Sequence, residues 1–222
     1  MKDLYTLPDG TLKNKLGITD YDELKQAECD ICFTKLISLD SIEYDKNNEE
    51  LLKKVHKYIF GDIFEWAGEY RKVPIYKQEI VIPGISLEYA EPREIKTMVQ
   101  ANMKRANQEN WNPYNLKDFS QKLTRHLAKI WRVHPFRDGN TRTTLAYGYL
   151  FAKEHGVELN METFLNSLSR KYNRNRTKIK EYSIRDKFVL AALDEDCYPE
   201  PEHLEQVIRR AIVIKDKNRD ER

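Results

Sequence analysis

Apolar side chains recur at helical spacing along most of this chain. Leu24, Ala27, Ile31 and Cys32 fall on one helical face, and the stretch before them, Asp20-Tyr-Asp-Glu23, has the form of a capping box. Leu51, Leu52, Val55, Ile59 and Phe60 open a second helix that runs toward Trp66. Pro92 starts a third, carrying Ile95, Met98, Val99 and Met103. After the break at Asn112-Pro113, Phe119, Leu123, Leu127 and Ile130 mark a fourth, with Trp131 beside them. Residues 145–152 are apolar almost all round, the mark of a buried helix. Asn160 is expected to cap a helix through Phe164, Leu165 and Leu168. A further helical stretch runs from Phe188 to Leu193, and Leu204, Val207, Ile208 and Ile212 form a last one beyond Pro199 and Pro201.

The pattern changes once. Val73-Pro-Ile-Tyr76 and Ile80-Val-Ile82 are short β-branched runs around Lys77-Gln-Glu79, stopped by Pro83-Gly84. They predict a small hairpin, with Pro74 marking an edge strand. The expected fold is therefore all-α with one β-hairpin flap. It divides into a lead-in at 1–18, a helical domain at 19–195, and a C-terminal helix with a charged tail at 196–222.

Composition changes this picture little. At 222 residues the chain can bury one sizeable core. Lys and Arg number 38 against 36 acidic residues, so bulk charge announces neither a nucleic-acid nor a membrane partner. Residues 170–180 are locally basic and read as a solvated helix face or a target-docking surface. No run approaches the ~18 apolar residues of a membrane span. The start of the chain lacks the apolar core of a signal peptide. Cys29 and Cys32 read as small hydrophobes along a helix, because three cysteines are too few for a disulfide framework. A reduced, cytoplasmic protein is expected, with a non-classical export route left open.

The chemistry concentrates between the fourth and fifth helices, in His134-Pro-Phe-Arg-Asp-Gly-Asn-Thr-Arg142. His134 can take or give a proton near neutral pH. Asp138 offers a hard oxygen that suits Mg²⁺. Gly139, Asn140 and Thr141 can turn backbone N–H groups toward an anion where a helix begins. Arg142 adds a forked cation that fits phosphate oxygens. His56, His126, His155 and His203 read as structural, Phe136 as a core anchor and Arg137 as an exposed side chain.

His134-Pro-Phe-x-Asp-Gly-Asn-x-Arg142 resembles the signature of the Fic family. The stretch from His56 to Arg71, through Phe60 and Trp66-Ala-Gly68, resembles the family's His…Phe…Trp-Ala-Gly…Arg run. Leu12-Lys-Asn-Lys-Leu-Gly17 resembles the lead-in of many bacterial members, and the three together span residues 11–195. The resemblance implies a protein adenylyltransferase that moves AMP from ATP to a hydroxyl of a target protein. His134 would be the base, Asp138 the Mg²⁺ ligand, and Gly139, Asn140, Thr141 and Arg142 the phosphate cradle. The hairpin would be the family's flap, where Lys77, Ile80, Val81 and Ile82 dock a target segment edge to edge. From their position after the motif helices alone, Tyr172 or Asn173 would line the adenine pocket.

Two positions depart from the pattern. Thr141 stands where AMP-transferring members usually carry Gly and the kinase-like branch carries Lys. That keeps open transfer of a phosphoryl group or another nucleotide on the same fold, besides a catalytically silent binding module. Leu145 stands where many members carry a second arginine, the partner of an inhibitory glutamate. No internal glutamate switch is therefore expected. Either a separate small, antitoxin-like protein restrains the enzyme, or nothing does.

Overall fold

The computed structural model describes residues 3–44, 49–77, 79, 81–82, 84, 87–163 and 182–213. The expectations on Ile80, on the helix through Phe164, Leu165 and Leu168, and on Tyr172, Asn173 and the basic run lie outside them. Seven α-helices are described: α1 (Tyr21–Ile37), α2 (Glu49–Phe60), α3 (Ile95–Gln108), α4 (Leu116–Val133), α5 (Asn140–Glu154), α6 (Ile184–Ala191) and α7 (Glu202–Ala211). Among the described residues there is no strand, only two isolated bridges, Thr6 to Leu12 and Leu159 to Ile212. None of the described helices is long and apolar enough to cross a membrane.

The core is built around α4. Asn115 caps it by accepting the Asp118 N–H at 3.2 Å, and Phe119, Leu123, Leu127, Ile130 and Trp131 are all fully buried. Small side chains on the same helix, Ser120, Thr124 and Ala128, let neighbours approach closely. The helix packs against α3, α5, α6 and α7, while α2 lies between α1 and α5. The C-terminal helix therefore closes the same core as the rest. Its end is pinned by backbone bonds from Asn160 to Ala211 (2.6 Å) and from Val213 to Glu158 (2.9 Å).

On α1 the buried face differs from the expected one. Asp20 does cap the helix, accepting the Glu23 N–H at 2.9 Å. The buried residues are Leu24, Glu28, Cys32 and Leu36, spaced by four, whereas Ala27 and Ile31 are half-buried. A carboxylate thus sits inside an apolar stripe, and it needs a cation there.

Among the described residues between Arg71 and Glu91, the expected hairpin shows turns, bends and coil and no ladder. Pro74 can donate no ladder bond. The base of the flap is fastened by Arg71, only 2% exposed. Its Nε donates to the His134 carbonyl and its Nη1 to that of Val73, each at 2.8 Å, and Nη2 donates to the Ala90 carbonyl. One buried guanidinium so ties both ends of the flap to the loop after α4.

Candidate active site

His134 ends α4 as its C-cap, in the left-handed region at φ 51° and with 1% exposure. The Arg71 bond to its carbonyl holds that unusual backbone. Its ring lies in an aromatic corner: Tyr89 stacks on one face at 4.0 Å between centroids, and Trp131 meets it edge-on at 5.0 Å. Nδ1 is 3.2 Å from the Trp131 carbonyl, which can only accept, so Nδ1 carries the proton and Nε2 keeps a lone pair. Burial, then the charges of Lys77 and Arg185, hold the imidazole pKa well below its ordinary 6.5. The side chain is therefore a neutral base with a defined tautomer.

Asp138 follows in the loop. Burial alone would raise its pKa, but Arg142 and Lys77 hold the carboxyl at about 2, so it is ionised. Oδ1 accepts the Gly139 N–H at 2.7 Å. The carbonyl of Asp138 is fixed by His56, whose Nε2 donates at 3.1 Å while Nδ1 accepts the Gly68 N–H at 2.8 Å. His56 stacks on Phe136 at 3.9 Å, and burial pushes its pKa down to about 3. It is a neutral pillar under the loop, as its structural reading held.

Gly139 turns the chain into α5 at φ 75°. A Cβ there would lie 2.3 Å from the Phe60 ring, itself fully buried. Gly139→Ala should cost about 2–4 kcal/mol, from left-handed strain plus overpacking. Urea denaturation measures it, and a loss under about 1 kcal/mol would mean that Phe60 yields freely.

The next two residues are placed more narrowly than expected. The Asn140 side chain is consumed by the loop, accepting the Phe136 N–H at 2.9 Å and donating to its carbonyl at 2.8 Å. Thr141 accepts the Trp131 indole N–H at 3.0 Å, so its hydroxyl is turned back onto α4. The backbone N–H groups of Asn140, Thr141 and Arg142 are available to an anion, as the opening donors of a helix with no carbonyl of a preceding turn.

Arg142 is engaged. It pairs with Glu28 of α1, whose side chain is 3% exposed, and its Nη1 reaches Cys32 Sγ at 3.3 Å. The guanidinium lies 4.8 Å above the Phe60 ring. Burial opposes its charge, but Glu28, Cys32 and Asp138 outweigh it and strengthen its hold on the proton. Leu145, one turn on, faces the core. No cation stands at position 145, and Glu28 pairs with Arg142 instead.

On the flap, Lys77 turns inward, and its charge acts on Asp138 and His134. Ile82 is buried at 6% exposure, so only its backbone can meet a docked segment, and Val81 is half-buried. Arg137 is not an exposed side chain. It is half-buried and pairs with Asp3 at 2.6 Å, tying the lead-in to the motif loop. Glu28, Glu79, Tyr89 and Arg185 are site neighbours that motif reading did not find.

A neutral histidine at the end of one core helix, an ionised carboxylate and the N-terminus of the next helix fall in one loop of an all-helical fold. Residues 46–152 match the model of the Fic/DOC family. The chain is 29% identical over 163 residues to the protein adenylyltransferase VbhT of Bartonella schoenbuchensis, a match covering 72% of this chain and 33% of VbhT. The chain thus spans about a third of that relative's length. It is 24% identical over 177 residues to the probable protein adenylyltransferase y4lH of Sinorhizobium fredii, covering 73% of this chain and 83% of y4lH. The fold is similar to that of the BepC protein of Bartonella tribocorum, solved with bound AMPPNP. There the TM-score is 0.73 at 18% identity, over 96% of this chain and 97% of that one.

Proposed function

We propose that this chain is a protein adenylyltransferase that moves AMP from Mg-ATP to a Tyr, Ser or Thr hydroxyl of a target protein, itself included. The observation that carries the reading is the unprotonated Nε2 of His134, in the same loop as Asp138 and just ahead of the first N–H groups of α5. The target oxygen forms a bond to the α-phosphorus, the bond to pyrophosphate breaks, and Nε2 takes the hydroxyl proton. The activity named for VbhT and y4lH supports the same reading.

Asp138 fits a magnesium ion. Its carboxylate is anionic, one oxygen is spent on the Gly139 N–H, and the described residues hold no cluster of three or more metal ligands. A single carboxylate sharing a hard ion with phosphates suits Mg²⁺. When bound, the ion would neutralise charge on the phosphate oxygens. Asp138→Ala, or excess chelator, should stop transfer, and an undiminished rate in chelator would remove Asp138 from that role.

Thr141 no longer argues for a different transferred group. Its hydroxyl oxygen accepts the Trp131 indole N–H and is turned back onto α4, so the group proposed to meet phosphate is its backbone N–H, as it would be for glycine. Docking of the target falls to the flap: a groove of about 810 Å³ there is lined by Tyr76, Lys77, Glu91, Glu94 and Met98 among others. The deciding experiment incubates the protein with ATP, GTP, UTP or CTP, Mg²⁺ and cell lysate. An AMP-sized mass increase on a protein with ATP supports the proposal; a phosphoryl-sized increase or none overturns it.

A further inference from the structure

Three side chains distant in sequence meet over the base. Glu79 comes from the flap, Tyr89 from its return limb and Arg185 from the first turn of α6. The Tyr89 hydroxyl donates to Glu79 Oε1 at 2.6 Å, Arg185 Nη2 donates to the Tyr89 hydroxyl at 3.0 Å, and Arg185 also pairs with Glu79. The Glu79 side chain is 4% exposed. An ionised carboxylate buried to that degree persists only with its cation and hydrogen bonds in place. Burial keeps the Tyr89 phenol protonated, so it remains a donor.

The same residues frame His134. The Tyr89 ring is the one stacked on the imidazole, and the Arg185 guanidinium lies 5.5 Å above the Trp131 ring that meets the imidazole edge-on. Ser183 and Asp186 cap α6 reciprocally, which fixes the turn that carries Arg185. At the flap base Arg71 holds only backbone carbonyls. It fixes where the flap leaves and returns, and leaves the tip to other contacts. We infer that Arg185 is a positioning residue for His134: it latches the flap through Glu79 and keeps the Tyr89 ring over the base.

The catalytic consequence rests on the AMP-transfer reading; the cover over His134 does not. Arg185→Gln alone would strand the buried Glu79 charge, so the decisive variant is Glu79→Gln with Arg185→Gln, which removes both charges together. Without nucleotide, acylation of His134 by diethyl pyrocarbonate, read by peptide mass, should rise roughly tenfold, as should amide exchange across the flap. With ATP, kcat should fall roughly tenfold while KM for ATP stays within about twofold, the pattern of a misplaced base rather than lost substrate binding. Arg185→Lys, which keeps the cation, should recover kcat to within about threefold of wild type. His134 acylation unchanged in the double variant overturns the inference, as does a kcat loss matched by an equal rise in KM. If the wild type transfers no AMP, the functional reading falls, and the acylation rates alone decide the role of Arg185.

Discussion

His134→Ala should abolish AMP transfer while ATP binding survives. A positioned base contributes about 10²–10⁴ in rate, so a loss of at least a hundredfold in labelled-AMP incorporation is expected. ATP affinity should stay within about threefold, because the N–H groups of α5, Asp138 and Arg142 are untouched. His134 stands at positive φ, where alanine adds strain of its own. His134→Asn is therefore the better-tolerated partner variant, since asparagine adopts that region readily and brings no basic nitrogen. Full activity in either variant would remove His134 from the base role. The pH dependence follows from the same environment. With its pKa held well below 6.5, the base is already neutral there, so transfer should not decline as pH drops from about 8 to 6.5 through protonation of His134. Stability behaves in the opposite sense. His134, and His56 and His126 with pKa values lowered to about 3, stay neutral when folded but bind protons when unfolded below about pH 6.5. Their contribution is complete above that pH and is lost as pH falls through the acid range.

The sequence discloses whatever depends on spacing along one element. The α4 stripe, the buried α5 and the histidine-to-arginine loop between them all follow from local periodicity and one dense motif. What it hides depends on contacts between elements far apart in the chain. Arg71 and His56 lie well before the motif, and their roles appear only when Arg71 reaches the His134 carbonyl and His56 that of Asp138. Asn140 and Thr141 were chemically eligible for phosphate, yet their side chains were claimed by Phe136 and Trp131. The Glu79–Tyr89–Arg185 latch has no motif at all, since its members are 10, 96 and 106 residues apart along its three hydrogen bonds. For Glu28 a faint signal existed. An acid four residues after Leu24 and four before Cys32 interrupts an apolar stripe, which is costly unless a cation waits opposite.

That acid carries the second large effect. Glu28→Ala would leave the Arg142 guanidinium, whose side chain is 17% exposed, without its carboxylate. Removing one member of a buried pair costs about 3–5 kcal/mol, so the variant should unfold at markedly lower urea. Glu28→Gln separates the charge from the packing. It keeps a hydrogen-bond acceptor for Arg142, and its stability should fall much less than that of the alanine variant. It also removes an anion from the residue proposed to receive the outer phosphates of ATP. As the pair stands, Arg142 presents little net charge to a triphosphate, and an incoming phosphate meets the Glu28 carboxylate. The apparent affinity for ATP should therefore rise in Glu28→Gln, by roughly tenfold or ~1.4 kcal/mol. Titration calorimetry with a non-hydrolysable ATP analogue reads this directly, with urea curves on the same samples. Unchanged affinity in a stably folded Glu28→Gln would mean that Glu28 only orients Arg142, and that restraint of this site, where it exists, must come from another protein. Weaker binding would mean that the carboxylate is needed to aim the guanidinium at phosphate. A gain would place a brake on the nucleotide inside the first helix, acting on Arg142 and independent of the leucine at 145.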